Sequence, residues 1–336
     1  MDALARLLDG PRARGAFLLR SVLTPPWSLR IQDRAPLTLV ALVKGEAWLV
    51  PDAAPPVRLG PGDVAVVRGP APYTVASEPR LQPRVVIHPG QHCTTPEGEP
   101  LADSMRLGVR TWGDDPHGPV VMLTGTYQMR GEVSGLLLGV LPTLLVLPAG
   151  AWDSPLVPLL AAEIAKDEPG QEAVLDRLLD LLLIAVLRAW LARPEAEAPA
   201  WYRAYGDPVV GTALRALHHN PAHPWTVAAL AAQAGVSRAA LARRFTELVG
   251  EPPMTYLTGW RLALAADLLR ETDATVGAVA RQVGYGSAFA LSAAFKRVHG
   301  VSPRLHRDGH RPAPARGGKP EPLMPTQHVI MNQMGE

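Results

Sequence analysis

The stretch "AQAGVSRAALARRF", residues 232–245, decides how this chain is read. Gly235 stands where a helix can end through a positive φ, and Ser237 is a residue type that caps the next helix by accepting one of its unpaired amides. Leu241 and Phe245 lie one turn apart and are expected to face a core. The reading is a helix, a tight turn and a second helix. That second helix opens Ser-Arg-Ala-Ala-Leu-Ala, with few polar side chains for any reading role.

The unit recurs. "VAALAAQAGVS" (227–237) returns as "VGAVARQVGYGS" (276–287), pairing Val227 with Val276, Leu230 with Val279, Ala231 with Ala280, Gln233 with Gln282 and Gly235 with Gly284. After one inserted residue the matches continue as Ser237 with Ser287, Leu241 with Leu291, Phe245 with Phe295, Gly250 with Gly300 and Pro253 with Pro303. Two copies of one helical motif mark an internal repeat. Between them, "MTYLTGWRLALAADLLRE" (254–271) carries Leu257, Trp260, Leu264 and Leu268 at spacings of three and four. Such a helix is about 27 Å long, which suits a rigid spacer holding two recognition helices near the ~34 Å between successive major-groove entries on one side of DNA.

Charge agrees with that reading. Residues 1–210 hold 19 Lys+Arg against 23 Asp+Glu, whereas residues 211–312 hold 12 against 6. A basic C-terminal block behind a mildly acidic one points to a polyanionic partner for the C-terminal part.

Toward the N-terminus the period changes. "LTLVALV" (37–43), "EAWLV" (46–50) and "DVAVVRG" (63–69) are short apolar runs separated by turn signals, so residues from about 15 to 150 read mainly as strands closing into a barrel or sandwich. Residues 133–152 form an uncharged run of 20, broken by Pro142, Pro148 and three glycines into pieces of strand length; buried strands and a turn are expected there rather than a membrane span. "AVLDRLLDLLLIAVLRAWLAR" (173–193) is helical, with Leu175, Leu178, Leu179, Leu182, Val186 and Trp190 on a wide apolar sector. That sector suits either packing within its own domain or pairing with a second copy. The N-terminus shows no signal peptide, and the single Cys93 forms no internal disulfide, so a cytoplasmic protein is expected.

Residues 208–307 resemble the DNA-binding domain of AraC/XylS-type bacterial transcriptional regulators. The resemblance rests on "LAAQAGVSRAALARRFTELVGEPPMTYLTGWRLALAADLLRE" followed by "VARQVGYGSAFALSAAFKRVHGVSPRLHR". It implies that both recognition helices enter neighbouring major grooves. The residues so implied are Ser237, Arg238, Ala239, Ala242 and Arg243 in the first helix, and Phe289, Ala290, Ser292, Lys296 and Arg297 in the second. Arg243 suits a bidentate contact to guanine, while Arg238 stays open between base and phosphate. Arginine is common in the family at the place of Ala293, so the second helix is left with methyl contacts to thymine, phosphate contacts through Ser292, Lys296 and Arg297, and DNA shape.

The N-terminal part resembles the cupin-like sensor domain of a subset of these regulators, through "PPWSLR" (25–30), "LVKGEAWLV" (42–50) and "PVRLGPGDVAVVRGPAPY" (56–73). Catalytic cupins ligate a metal with paired histidines and a later one. Here Leu37, Thr38, Leu39 and Val40 stand at the pair and Tyr73 at the later place, so neither metal nor cofactor is expected. Trp27, Trp48 and Tyr73 are the candidates to line an effector pocket, against the plainer role of filling a core. His88, His92 and Cys93 in "IHPGQHC" (87–93) are weighed as a soft metal or redox cluster against ordinary loop residues, and the latter is favoured. His218 and His219 are expected to cap or decorate a helix end.

The expected architecture is a multidomain α+β protein. Residues 1–150 form a cupin-like sensor, 151–193 a helical connector and candidate dimerisation element, 194–207 a linker, 208–310 a double helix-turn-helix domain and 311–336 a disordered tail. The expected function is sequence-specific transcriptional regulation, with no catalytic residues. Its expected partners are double-stranded promoter DNA, a small-molecule effector, a second copy of the chain and, for an activator, RNA polymerase. The alternatives are a metal-dependent cupin enzyme with an appended helical domain, and a ligand-independent module whose barrel only dimerises.

Overall fold

A computed structural model of the chain describes residues 17–101, 103–127, 131–152, 154–193, 198 and 200–309. The expected tail at 311–336 and most of residues 194–199 in the expected linker lie outside the described residues. The strands are β1 (Phe17–Leu23), β2 (Ser28–Ile31), β3 (Leu37–Lys44), β4 (Ala47–Pro51), β5 (Val57–Leu59), β6 (Val64–Arg68), β7 (Tyr73–Ala76), β8 (Val85–His88), β9 (His92–Thr94), β10 (Thr111–Gly113), β11 (Val120–Tyr127) and β12 (Leu144–Leu147). They form two six-stranded sheets, ordered β10-β1-β11-β3-β6-β12 and β5-β4-β7-β2-β8-β9.

Strand β3 shows how the layers arise. Successive side chains on a strand point to opposite faces. Val40 and Leu42 face the second sheet, packing with Leu29, Leu49 and Val75, whereas Leu37, Leu39 and Ala41 face a layer of helices. With both faces covered, the first six positions of β3 are buried, which is why its sequence is a continuous apolar run instead of an alternating one.

The helical layer contains α1 (Glu132–Val140), α2 (Leu156–Ile164) and α3 (Gln171–Leu191). Helix α3 lies tight against β11. A Cβ on Gly125 would come within 2.6 Å of the Leu179 side chain, and the buried Tyr127 hydroxyl donates to the Leu179 carbonyl at 2.8 Å. Leu175, Leu179, Leu182, Leu183, Val186 and Leu187 fill this interface, so one face of α3 packs within its own chain. Val174 and Leu181 remain exposed, as does Leu159 on α2.

Helix α1 corrects the expectation of strands throughout 133–152. Only Leu144–Leu147 forms a strand there, pairing antiparallel with β6. The first part of the run is helical because its ends are held from outside. The amides of Glu132 and Val133 donate to the Asp267 carboxylate at 2.6 and 3.0 Å, and Arg68 of β6 donates to the Leu138 carbonyl at 3.0 Å. An acid at the N-terminus and a cation at the C-terminus match the helix dipole.

Helix α4 (Ala200–Ala204) falls within the expected linker, with Ala204 buried in the core of the helical region. Beyond it the chain is helical as expected: α5 (Val210–His219), α6 (Val227–Gln233), α7 (Arg238–Val249), α8 (Pro253–Glu271), α9 (Val276–Gln282), α10 (Ala288–His299) and α11 (Pro303–Asp308). Among the described residues no helix is long and apolar enough to cross a membrane.

Candidate nucleic-acid interface

The duplicated unit folds the same way twice, through the residues that repeat. In α6 and α9 the chain ends its helix with Gly235 and Gly284 at φ +68° and +87°. In the first copy the Gly235 amide donates to the Ala232 carbonyl and the Val236 amide to Ala231; in the second, Gly284 donates to Arg281 and Tyr285 to Ala280. This double bond pattern closes a helix end while a left-handed glycine turns the chain. Ser237 and Ser287 then cap α7 and α10, accepting from the Ala240 and Ala290 amides at 3.2 and 3.1 Å. Thr226 and Thr275 cap α6 and α9 in the same manner.

Each copy has its own core. Leu230, Ala231, Leu241 and Phe245 are buried in the first, and Val279, Ala280, Leu291 and Phe295 in the second. Helix α8 serves both. Leu257 belongs to the first core and Leu262, Ala265, Ala266 and Leu269 to the second, while Trp260 and Ala263 belong to the cluster of the barrel's helical face. The spacer is thus enclosed on several sides rather than along one stripe.

A second contact fixes the copies against each other. Arg261 on α8 donates to the carbonyls of Pro221 at 2.7 Å and His223 at 2.8 Å, in the loop before α6. The same loop abuts the second turn, where a Cβ on Gly284 would lie 2.7 Å from the Ala222 carbonyl oxygen.

With Leu241, Phe245, Leu291 and Phe295 held inward, the opposite faces of α7 and α10 are set outward. Ser237, Arg238, Ala239 and Arg243 are exposed and Ala242 half-buried on α7; Phe289, Ala290, Ala293, Lys296 and Arg297 are exposed and Ser292 half-buried on α10. The Arg243 side chain is 77% exposed, with Glu247 at 3.7 Å. Its neighbour Arg244 is committed elsewhere: it pairs with Asp207 at 2.6 Å, and this hydrogen bond holds the Asp207 carboxyl below the usual range. Asp207 also accepts the amides of Val209 and Val210 at the start of α5.

His218 corrects its expected role as a helix-end decoration. It is fully buried, with Nδ1 3.0 Å from the Tyr205 hydroxyl and Nε2 2.7 Å from that of Tyr256, and its ring lies 4.8 Å from Trp260. Sequence reasoning missed this hub because its partners are 13 and 38 residues away, with no local signal.

In the barrel, Trp27 and Tyr73 are buried in the cluster between the sheets, together with Trp112. Trp48 is not: it sits between Ala47 and Leu49 on β4, which point into that cluster, so strand alternation turns Trp48 to the other face. Trp27 Nε1 and Trp112 Nε1 are buried without a hydrogen-bonding partner, and burial holds Tyr73, whose hydroxyl lies beside the Thr38 side chain, far above its ordinary pKa. Thr38 and Val40 occupy the inward positions where a cupin metal needs imidazoles, so the residues present do not fit that metal. His88 Nε2 lies 3.0 Å from the Thr94 hydroxyl, and burial pushes the Cys93 thiol up, opposite to an activated thiolate.

Comparison with known proteins places these parts in one lineage. The Cupin family profile matches residues 2–192 and a Helix-turn-helix domain profile residues 230–309. A protein of Streptomyces lividans described as an AraC-like transcription regulator is 33% identical over 315 residues, covering 91% of this chain and 98% of that relative. The HTH-type transcriptional regulator MtrA of Neisseria gonorrhoeae is 27% identical over 314 residues, covering 91% of this chain and 98% of that one. The solved DNA-binding domain of AdpA in complex with a target DNA is 36% identical, covers 32% of this chain and 95% of that chain, and has a TM-score of 0.30. A cupin domain followed by a paired helix-turn-helix domain, with such relatives along nearly the whole length, means that this chain belongs to the AraC family of DNA-binding transcriptional regulators.

Proposed function

We propose that the chain reads promoter DNA chiefly through α7, with Arg243 bonding guanine and Ser237, Arg238, Ala239 and Ala242 lying along the groove. In this reading Phe289, Ala290 and Ser292 present α10 to the adjacent groove, and Lys296 and Arg297 neutralise phosphates. The observation that carries it is the outward face of each recognition helix, set by the buried Leu and Phe pairs behind it. The protein acts without catalysis in the cytoplasm, and as an activator it would also meet RNA polymerase.

The barrel is the sensor in this proposal. Two unpartnered indole N–H groups, those of Trp27 and Trp112 beside the buried Tyr73, support a small molecule bearing hydrogen-bond acceptors as its effector. Exposed Leu159, Val174 and Leu181 on α2 and α3 support pairing with a second copy. We assign residues 1–150 to sensing, 151–193 to the connector, 194–207 to the linker and 208–310 to DNA binding.

Genome-wide footprinting of the tagged protein, repeated with Arg243→Ala, tests the reading. Loss of one guanine from the bound motif is expected, with affinity falling by about 1–3 kcal/mol. An unchanged motif would remove Arg243 as a base reader.

A further inference from the structure

Phe289 is 83% exposed, the most exposed large hydrophobic side chain among the described residues. The equivalent phenylalanines of the two cores, Phe245 and Phe295, are fully buried. Its position is the first turn of α10, immediately after Ser287 caps the helix. In the first copy the matching residue is Ala239, and the guanine-reading position Arg243 is matched by Ala293. The two helices therefore carry opposite equipment at corresponding places.

The exposed side chains next to Phe289 in the first turns of α10 are carbon only, and the Ser292 hydroxyl is the nearest polar group on this face. Ala288, Ala290 and Ala293 are exposed beside it, and Ser292 is half-buried. Phe289 and these alanines have nothing to give a guanine, adenine or cytosine edge, whose donors and acceptors would lose water and gain no partner against them. The C5 methyl of thymine is the apolar group that the major groove displays.

We propose that Phe289 is the specificity-determining residue of the second recognition helix, and that it selects thymine by packing against the C5 methyl. The proposal rests on the reading of α10 as a groove-entering helix. It makes the operator chemically lopsided, with one half-site read by charge-assisted hydrogen bonds and the other by apolar contact.

The test uses the full-length protein. Wild type, Arg243→Ala and Phe289→Ala each select sites from a random duplex pool, which assigns one half-site to each residue. Thymines of the Phe289 half-site are then replaced singly by deoxyuridine, which removes only the methyl. Wild type is expected to lose about fourfold in affinity at the contacted thymine, the worth of one buried methyl-sized group. Phe289→Ala is expected to bind both duplexes equally, with an unchanged melting temperature, since no buried contact is lost. An equal deoxyuridine penalty in wild type and variant, or no thymine preference in that half-site, would overturn the proposal while leaving DNA binding intact. A wild-type protein that selects no sequence would remove both this inference and the reading beneath it.

Discussion

Gly235 and Gly284 make the same turn in the two copies, but their surroundings separate them. A Cβ at Gly235 meets open space, whereas at Gly284 it would press on the Ala222 backbone. Gly235→Ala is expected to cost only left-handed strain, about 1–2 kcal/mol. Gly284→Ala adds a forced shift of the Pro221–His223 loop, for a total of about 2–5 kcal/mol. Thermal melts of the two variants compare them directly, and equal losses would contradict the contact. The turn itself was legible, because a glycine followed by a capping serine states its own geometry. Residues whose roles come from distant partners were not. Nothing near His218 announces Tyr256, and Trp48 was grouped with Trp27 and Tyr73 by residue type, when the parity of its strand decides which way it faces.

Helix α1 is the element that the sequence hid. "EVSGLLLGV" has two glycines and no charge beyond its first residue, so neither propensity nor a polar face marks it. It is stabilised from both ends, by Arg68 on the barrel and by Asp267 on α8, which also pairs with Arg270. Asp267→Ala is expected to cost about 1–2 kcal/mol through two unpaired amides and a lost dipole partner. Hydrogen exchange should rise across residues 131–140 while β3 stays protected; unchanged protection would show that the carboxylate does not hold this helix. Helix α8 was half legible. Its length and apolar spacing were plain, but a single stripe was the natural reading of Leu257, Trp260, Leu264 and Leu268. In the fold, these residues are divided among three cores that no local pattern separates.

At the scale of the whole molecule, the charge imbalance already set the basic DNA-binding part apart from the mildly acidic remainder. The contents of the barrel were less legible, since an apolar strand reads alike whether it packs a core or lines a cavity. Orphaned polar atoms there favour a ligand, and a ligand that binds the folded state raises its stability, by about 2.7 kcal/mol at a concentration 100 times Kd. A thermal-shift screen of acceptor-bearing small molecules is therefore expected to find compounds that raise the melting temperature, with the gain blunted in Trp27→Phe, which removes an unpartnered indole N–H. Invariance across the screen would favour a barrel that only dimerises.

Trp260 and Ala263 share an apolar cluster with Leu179, Leu182 and Val186 beneath the barrel. Cutting the chain between α3 and α4 would strip the DNA-binding part of that cover and leave an oily scar along its central rod. A fragment made that way carries an incentive to aggregate that the intact regulator lacks, and polar replacements on the bared surface would be the natural remedy for anyone expressing it alone.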